Sequence, residues 1–316
     1  MTSSPGAHPS DRQEPRLSVG VISAGAVGTA VAESLQRAGH HIHGIVARSE
    51  ASRARAEDRL PGVPVTTVAD AAQAALVVLA VPDPQLPAVV EEVATTVRAG
   101  QIVLHTAGAL GCDVLQPITD TGALPLALHP AMTFLNRPED TDNLQGCAWG
   151  VTTDSETGTA VAELLVSSLG GVPVAVPEDA RTLYHAAMVH GANHVVTQVS
   201  EALSILDRVL GDPSVQNPES ALLLRRILPT AVDAALASRM SALTGPTARD
   251  DAATVLRHLT ALDAADVCDN TSTSGGSGLA EAYRQDAERT ARAVGSLDVE
   301  RAVRLVRHSG TGSGAD

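Results

Sequence analysis

The segment from Leu17 to Ala47 constrains the fold more than any other part of the chain. It reads LSVGVI, SAGAVG, TAVAESLQRAG and HIHGIVA: a short apolar strand, a turn of small residues, a helix closing at Gly39 and a second apolar strand. Strands that are apolar on both faces and separated by helices belong to a parallel sheet covered on both sides. The pattern continues through VPVTTV (63–68), ALVVLAVP (75–82), a helix from about 86 to 97, QIVLHT (101–106), LPLALHP (124–130) and WGVTTD (149–154). Residues 16–155 are therefore expected to form a doubly wound, mainly parallel α/β domain. A helix over 156–169 and the strand VPVAVP form a connecting stretch, 156–177. Beyond it apolar residues recur at helical spacing over 178–210, 218–238, 250–264, 279–294 and 298–307, with a kink expected at Pro229. An all-α domain is expected over 178–308. The tails 1–15 and 309–316 and the segment NTSTSGGSG (270–278) are too polar or glycine-rich to bury anything and are expected to be mobile.

Composition removes several functions. A formal charge of −14 without a basic block cannot neutralise a phosphate backbone, so nucleic acid is excluded as an expected partner. The first fifteen residues have no apolar stretch, and no later run approaches the ~18 residues that a membrane helix needs. A soluble cytoplasmic protein is expected. The cysteines, Cys112, Cys147 and Cys268, are too scattered for a disulfide framework or a zinc site; reduced buried thiols and no metal are expected. All 22 basic residues are arginines, which excludes Schiff-base chemistry and a lysine general acid.

The turn VGVISAGAVG has the context of a dinucleotide fingerprint, directly after a strand and opening a helix. Its three critical positions are Ser23, Gly25 and Gly28, with Ala24, Ala26 and Val27 between them; serine replaces the first glycine, which the tight turn ordinarily needs. A carboxylate at the end of the second strand would hold the ribose hydroxyls of NAD. Ala47, Arg48 and Ser49 stand there instead, so Arg48, assisted by Arg53 or Arg55, is expected to pair with the 2′-phosphate of NADP(H). Val81, Pro82 and Asp83, and His105 and Thr106, end the next two strands and are expected to line the crevice.

Three further segments carry polar groups in apolar text. LALHPAMTF puts His129 at a strand end. On the long helix, YHAAMVHGANHVV puts Asn193 about 60° around the axis from His190, and His185 about 140° away. His190 and Asn193 therefore share a face. In LTGPTARDDAATVLRHL, Asp250 and Asp251 suit helix capping, whereas the planar guanidinium of Arg249 suits a substrate carboxylate or, equally, a surface ion pair.

An α/β half followed by a helical half that opens on a long helix resembles the 6-phosphogluconate dehydrogenase-like superfamily, which includes ketopantoate, pyrroline-5-carboxylate and prephenate enzymes. SAGAVG, HTAGALG, LHPAMTF, YHAAMVHGANH and GPTARDD together resemble the Rossmann-like family with a C-terminal DUF2520 domain, over about 16–307. The resemblance implies an NADP-linked reductase that dimerises through its helical half. Many relatives carry a catalytic lysine four residues before the helix asparagine. Val189 stands there, so His190, or His129 at a place similar to the prephenate dehydrogenase histidine, would donate the proton. The preferred expectation is NADPH-dependent reduction of a small 2-oxo acid, ketopantoate first, with Arg249 on the carboxylate and Asn193 on the carbonyl. Reduction of a cyclic imine of the pyrroline-5-carboxylate type, or NADP(H) binding without turnover, are the alternatives.

Overall fold

The computed structural model describes residues 16–211, 216–269 and 278–309; the tails and the glycine-rich segment expected to be mobile lie largely outside these. Two compact units are present, one ending at Val195 and one beginning at Val196.

The first unit runs β1 (Ser18–Ile22), α1 (Ala26–Arg37), β2 (His41–Val46), α2 (Glu50–Arg59), α3 (Val68–Ala71), β3 (Leu76–Leu79), α4 (Leu86–Ala94), β4 (Ile102–His105), α5 (Gln116–Thr119), β5 (Leu124–Pro130), α6 (Glu139–Asp142), β6 (Ala148–Thr153), α7 (Glu156–Ser168) and β7 (Val172–Ala175). The sheet order is β2-β1-β3-β4-β5-β6-β7. Every neighbouring pair is parallel except β5 and β6, which run antiparallel with His129 opposite Gly150. The chain leaves β1 towards β2, then returns past β1 to β3. Strand order therefore reverses between β1 and β3, and a crevice opens outside the carboxyl ends there. Two buried apolar clusters cover the faces of the sheet, one including Val31, Leu35 and Trp149 and the other including Leu86, Val90 and Ile118.

The strand expected over 63–68 is reduced to one parallel bridge, Val65 to Ile45. The hydroxyls of Thr66 and Thr67 both bond Asp70 Oδ2, and Thr67 Oγ1 accepts from the Asp70 amide. Those bonds turn the chain into α3, because local side-chain partners compete with a strand ladder. The helix α2, EASRARAEDR, buries only Ala56 and so carries no apolar periodicity; its signal is the capping box between Ser49 and Ser52.

The long helix α8 (Arg181–Leu210) follows a short 3-10 turn, Glu178–Ala180, and the boundary between the units falls inside it. The second unit continues with α9 (Pro218–Ser238), α10 (Ala252–Asp269), α11 (Leu279–Val294) and α12 (Leu297–Ser309). The helix α9 continues through Pro229 as one element. Asp207 ties α8 to α9 by accepting from the Ser220 hydroxyl at 2.5 Å and the Asn217 amide at 3.1 Å. Val255, Leu259, Ala287, Ala291, Val299 and Val303 form the core of α10 to α12. No helix among the described residues is long and apolar enough to cross a membrane.

Candidate functional site

At the β1 turn Ser23 takes φ +98°, a backbone conformation that favours glycine and strains other residues. The tight bend of the fingerprint is thus kept despite the substitution, and the Ser23 hydroxyl accepts from the Gly25 amide at 3.3 Å. Gly25 begins α1 without a side-chain cap. A Cβ on Gly28 would lie 2.0 Å from the Ser23 carbonyl oxygen and 3.1 Å from Ala80, so helix and turn approach as closely as only glycine permits.

A cavity of about 290 Å³ opens over this turn, lined in part by Ser23, Gly25, Arg48, Ser49, Ser52 and Arg55. Ile22, Ala24, Val46, Val81, Pro82 and Gln85 complete its walls, whereas Asp83 does not line it. No carboxylate is among the lining residues. Arg48 is exposed and reaches Glu92 only at 3.5 Å; Arg55 is anchored on the Ala24 carbonyl at 2.6 Å. Arg53 is exposed and outside the lining. Ser49 also caps α2, accepting from the Ser52 amide at 3.1 Å. These residues fit a dinucleotide with an additional phosphate on its ribose: the turn permits close backbone approach, and two guanidiniums stand where an acid would repel.

The strand-end residues His105 and Thr106 are buried. The His105 ring accepts from the Ala107 amide at 3.1 Å and meets the Gly111 carbonyl at 2.8 Å, which assigns its proton to Nε2. Burial pulls its pKa down to about 4, with the Gly111 bond opposing and Arg181 and His129 assisting. The neutral ring shapes the 105–111 loop from within and does not face the crevice.

That loop borders a second constellation. The His129 Nδ1 lies 2.8 Å from the Tyr184 hydroxyl, with the rings edge to face, and the His185 ring is 6.1 Å from His129. A Cβ on Gly108 would lie 2.6 Å from His185 Cδ2 and 3.0 Å from His129 Nε2; one on Gly150 would lie 2.7 Å from the Tyr184 oxygen. Two glycines thus make the slots into which the rings fit. Beside them Arg181 is 1% exposed. It donates to Thr152 Oγ1 (2.7 Å), the Ala127 carbonyl (2.7 Å) and the Gly150 carbonyl (3.1 Å), while Nη1 has no partner. Its charge centre is 5.8 Å from the centre of the Tyr184 ring. Burial, then Arg181 and His185, lower the His129 pKa to about 4. Burial raises that of Tyr184 against the opposing pull of Arg181.

The remaining sequence candidates stand elsewhere. His190 and Asn193 are exposed, and the His190 ring meets His194, Nδ1 to Nδ1 at 2.9 Å, not His129. Arg249, in the second unit, is exposed with no ion pair among the described residues. Asp250 accepts from the Val299 amide and Asp251 from the Thr254 amide, so both aspartates cap helices and neither pairs with Arg249. The cysteines Cys112 and Cys147 are free and buried; burial, then Glu178, pushes Cys112 up to about 12, which leaves no reactive thiolate. No cluster of potential metal ligands occurs among the described residues. Sequence reasoning did not select Arg181, Tyr184 and His185 together, although they stand at i, i+3 and i+4 and therefore share a helix face.

This architecture defines a Rossmann-like α/β unit followed by a helical one. Residues 1–130 match the Rossmann-like domain and residues 147–290 match DUF2520, a domain of unknown function; the chain is a Rossmann-like protein with a DUF2520 domain. No curated protein matches it in sequence. Among solved structures it is similar to a Bacteroides fragilis protein provisionally described as an NADP oxidoreductase, at 19% identity and TM-score 0.68 over 88% of this chain and 98% of that one. It is also similar to a reductive aminase from Aspergillus terreus in complex with NADPH and ethyl-5-oxohexanoate (16%, 0.55, 95% and 97%). A third similar structure is the Plasmodium falciparum pyrroline carboxylate reductase with NADP bound (11%, 0.51, 87% and 98%). At these identities the likeness establishes the fold.

Proposed function

We propose that the protein is an NADPH-dependent reductase of a small carboxylate-bearing substrate. The observation that carries this reading is the cavity over the Ser23–Gly28 turn, which holds Arg48 and Arg55 and no carboxylate. Bound there, NADPH would supply the hydride. The amides of the turn would take the diphosphate, and Arg48, Ser49, Ser52 and Arg55 the 2′-phosphate. The preferred substrate class is a 2-oxo acid, with ketopantoate the first compound to try. A cyclic imine is the second reading, supported by the activities of the Aspergillus and Plasmodium proteins. Arg249 is assigned to the substrate carboxylate from sequence alone. Asn193 and His190 are assigned to the carbonyl and its proton from sequence alone, and His129 now stands beside Tyr184.

The same reading includes a cytoplasmic homodimer built through the helical unit. Leu222, Leu223, Ile227 and Leu236 of α9 are between 57% and 81% exposed, an apolar surface that a second copy would cover. Sedimentation of a Leu223→Glu, Ile227→Glu variant should show a monomer if it does.

The test mixes purified protein with NADPH or NADH and a panel of 2-oxo acids and cyclic imines, following loss of the reduced nicotinamide. NADPH-specific turnover is expected, and Arg48→Ala should weaken NADPH binding about tenfold to a hundredfold while sparing NADH. Equal use of both cofactors would remove Arg48 from the argument. No turnover with tight binding would leave a sensor.

A further inference from the structure

The reductase reading takes the second hydrogen from His190 on sequence alone, but His190 is exposed and its ring meets His194, and the lysine-free sequence narrows the other choices. We propose that Tyr184 is the catalytic acid, with its proton aimed at the substrate by His129 and its conjugate base stabilised by Arg181. The proposal rests on that reading and on four placements. Tyr184 and His129 are each only partly covered, so their pair forms a wall that a ligand can reach. His129 stands against Gly108, just beyond the carboxyl end of β4, and so brings the pair to the end of the parallel strands at which the cavity also opens. The Gly150 backbone fixes the phenol ring from behind. The guanidinium of Arg181 is fully buried and faces no carboxylate at hydrogen-bond distance; its donors go to two carbonyls and one hydroxyl. Its positive charge acts on Tyr184 more strongly than on the Glu178 carboxylate, and so favours a phenolate.

The chemistry balances. Hydride addition to the substrate carbon leaves an electron pair on the attached oxygen, or on nitrogen in an imine. The Tyr184 O–H bond breaks, its proton joins that atom, and the electron pair stays on the phenolate. A neutral His129 carrying its proton on Nδ1 donates to the same oxygen before and after the transfer. The tyrosine proton therefore points away from His129 towards the substrate. Water then reprotonates Tyr184. A cationic His129 would compete as an acid, but burial, with Arg181 assisting, keeps it neutral well below pH 7. His129 and Arg181 are positioning residues.

The chain has two tyrosines, so a Tyr283→Phe background leaves Tyr184 as the single phenol. In that background the ionisation of Tyr184, followed by ultraviolet difference absorbance, should move to higher pH in His129→Ala. It should return towards the starting value in His129→Asn, whose amide can donate from the same place. An unchanged or lower titration in His129→Ala would overturn the assigned hydrogen-bond direction and the proposal with it. With the fastest substrate of the panel, Tyr184→Phe should lower kcat at least about a hundredfold. It should leave NADPH affinity within about twofold, because no cofactor contact is removed. Wild-type kcat in Tyr184→Phe would overturn this proposal and leave the reductase reading standing. A wild-type protein that binds NADPH but reduces nothing in the panel would overturn both.

Discussion

Among the described residues there are two histidine–tyrosine pairs of almost the same geometry. In the α/β unit His129 Nδ1 is 2.8 Å from the Tyr184 hydroxyl; in the helical unit His258 Nδ1 is 2.7 Å from that of Tyr283. Both are edge to face, with ring centres 5.6 Å and 5.7 Å apart. Their surroundings differ. The first pair sits in glycine-made slots beside a buried arginine, and its histidine is held neutral. The second joins α10 to α11 with His258 exposed, and burial alone raises the Tyr283 pKa. Geometry makes a hydrogen bond in each place; only the environment of the first sets up acid–base work.

Removing the buried arginine should separate the two pairs most widely. Arg181→Met would leave the Ala127 and Gly150 carbonyls and the Thr152 hydroxyl short of a donor, at a cost of about 3 kcal/mol in urea denaturation. Arg257→Ala, next to the second pair, should cost about 0.5 kcal/mol or less, since its side chain is exposed. Similar losses from both variants would erase the distinction. Next, Gly108→Ala should destabilise by about 1–3 kcal/mol, because its methyl would press on His185 and His129. Gly191→Ala, in the same helix as Tyr184 but with open space around it, should instead stabilise by up to about 1 kcal/mol.

Acid sharpens the contrast further. His105 and His129 are held near pKa 4 in the folded protein, below the ~6.5 of the unfolded chain. As pH falls below ~6.5 the unfolded chain takes up protons first. Stability should therefore decline between pH 6.5 and about 4, by at most about 1.4 kcal/mol per pH unit for His105 and less for the partly exposed His129. His105→Asn should flatten that slope in denaturant midpoints taken at each pH. The smallest effect belongs to Tyr283→Phe, which should cost under about 1 kcal/mol and leave NADPH oxidation within about twofold of wild type.

Strong local signals carried over well from sequence to structure. The sheet was legible because apolar strands alternate with helices, and β5 occupies the expected 124–130 segment. The fingerprint turn was legible because Gly25 and Gly28 have separate steric duties. The α2 helix was not, since a surface helix with one buried residue has no apolar period. The strand at 63–68 failed for the opposite reason: VPVTTV has the composition of a strand, but two threonines prefer Asp70 as their partner. Around the site, His129 was visible as a polar break in apolar text. Arg181 was not, because its burial depends on β5 and β6, some thirty to fifty residues earlier in the chain. Sequence alone puts the proton on His190, or on His129, because the missing lysine before Asn193 is the starting point; the i, i+3, i+4 spacing of Arg181, Tyr184 and His185 was the signal for the other face.

Ser23 links these observations to how the turn behaves when empty. Its own hydroxyl holds the Gly25 amide, so the bend is latched from inside in a conformation that serine adopts reluctantly. Ser23→Gly would relax that tension and free one amide, but would also let the loop wander through many shapes before a guest arrives. The serine therefore trades a comfortable backbone for a doorway that is already the right shape.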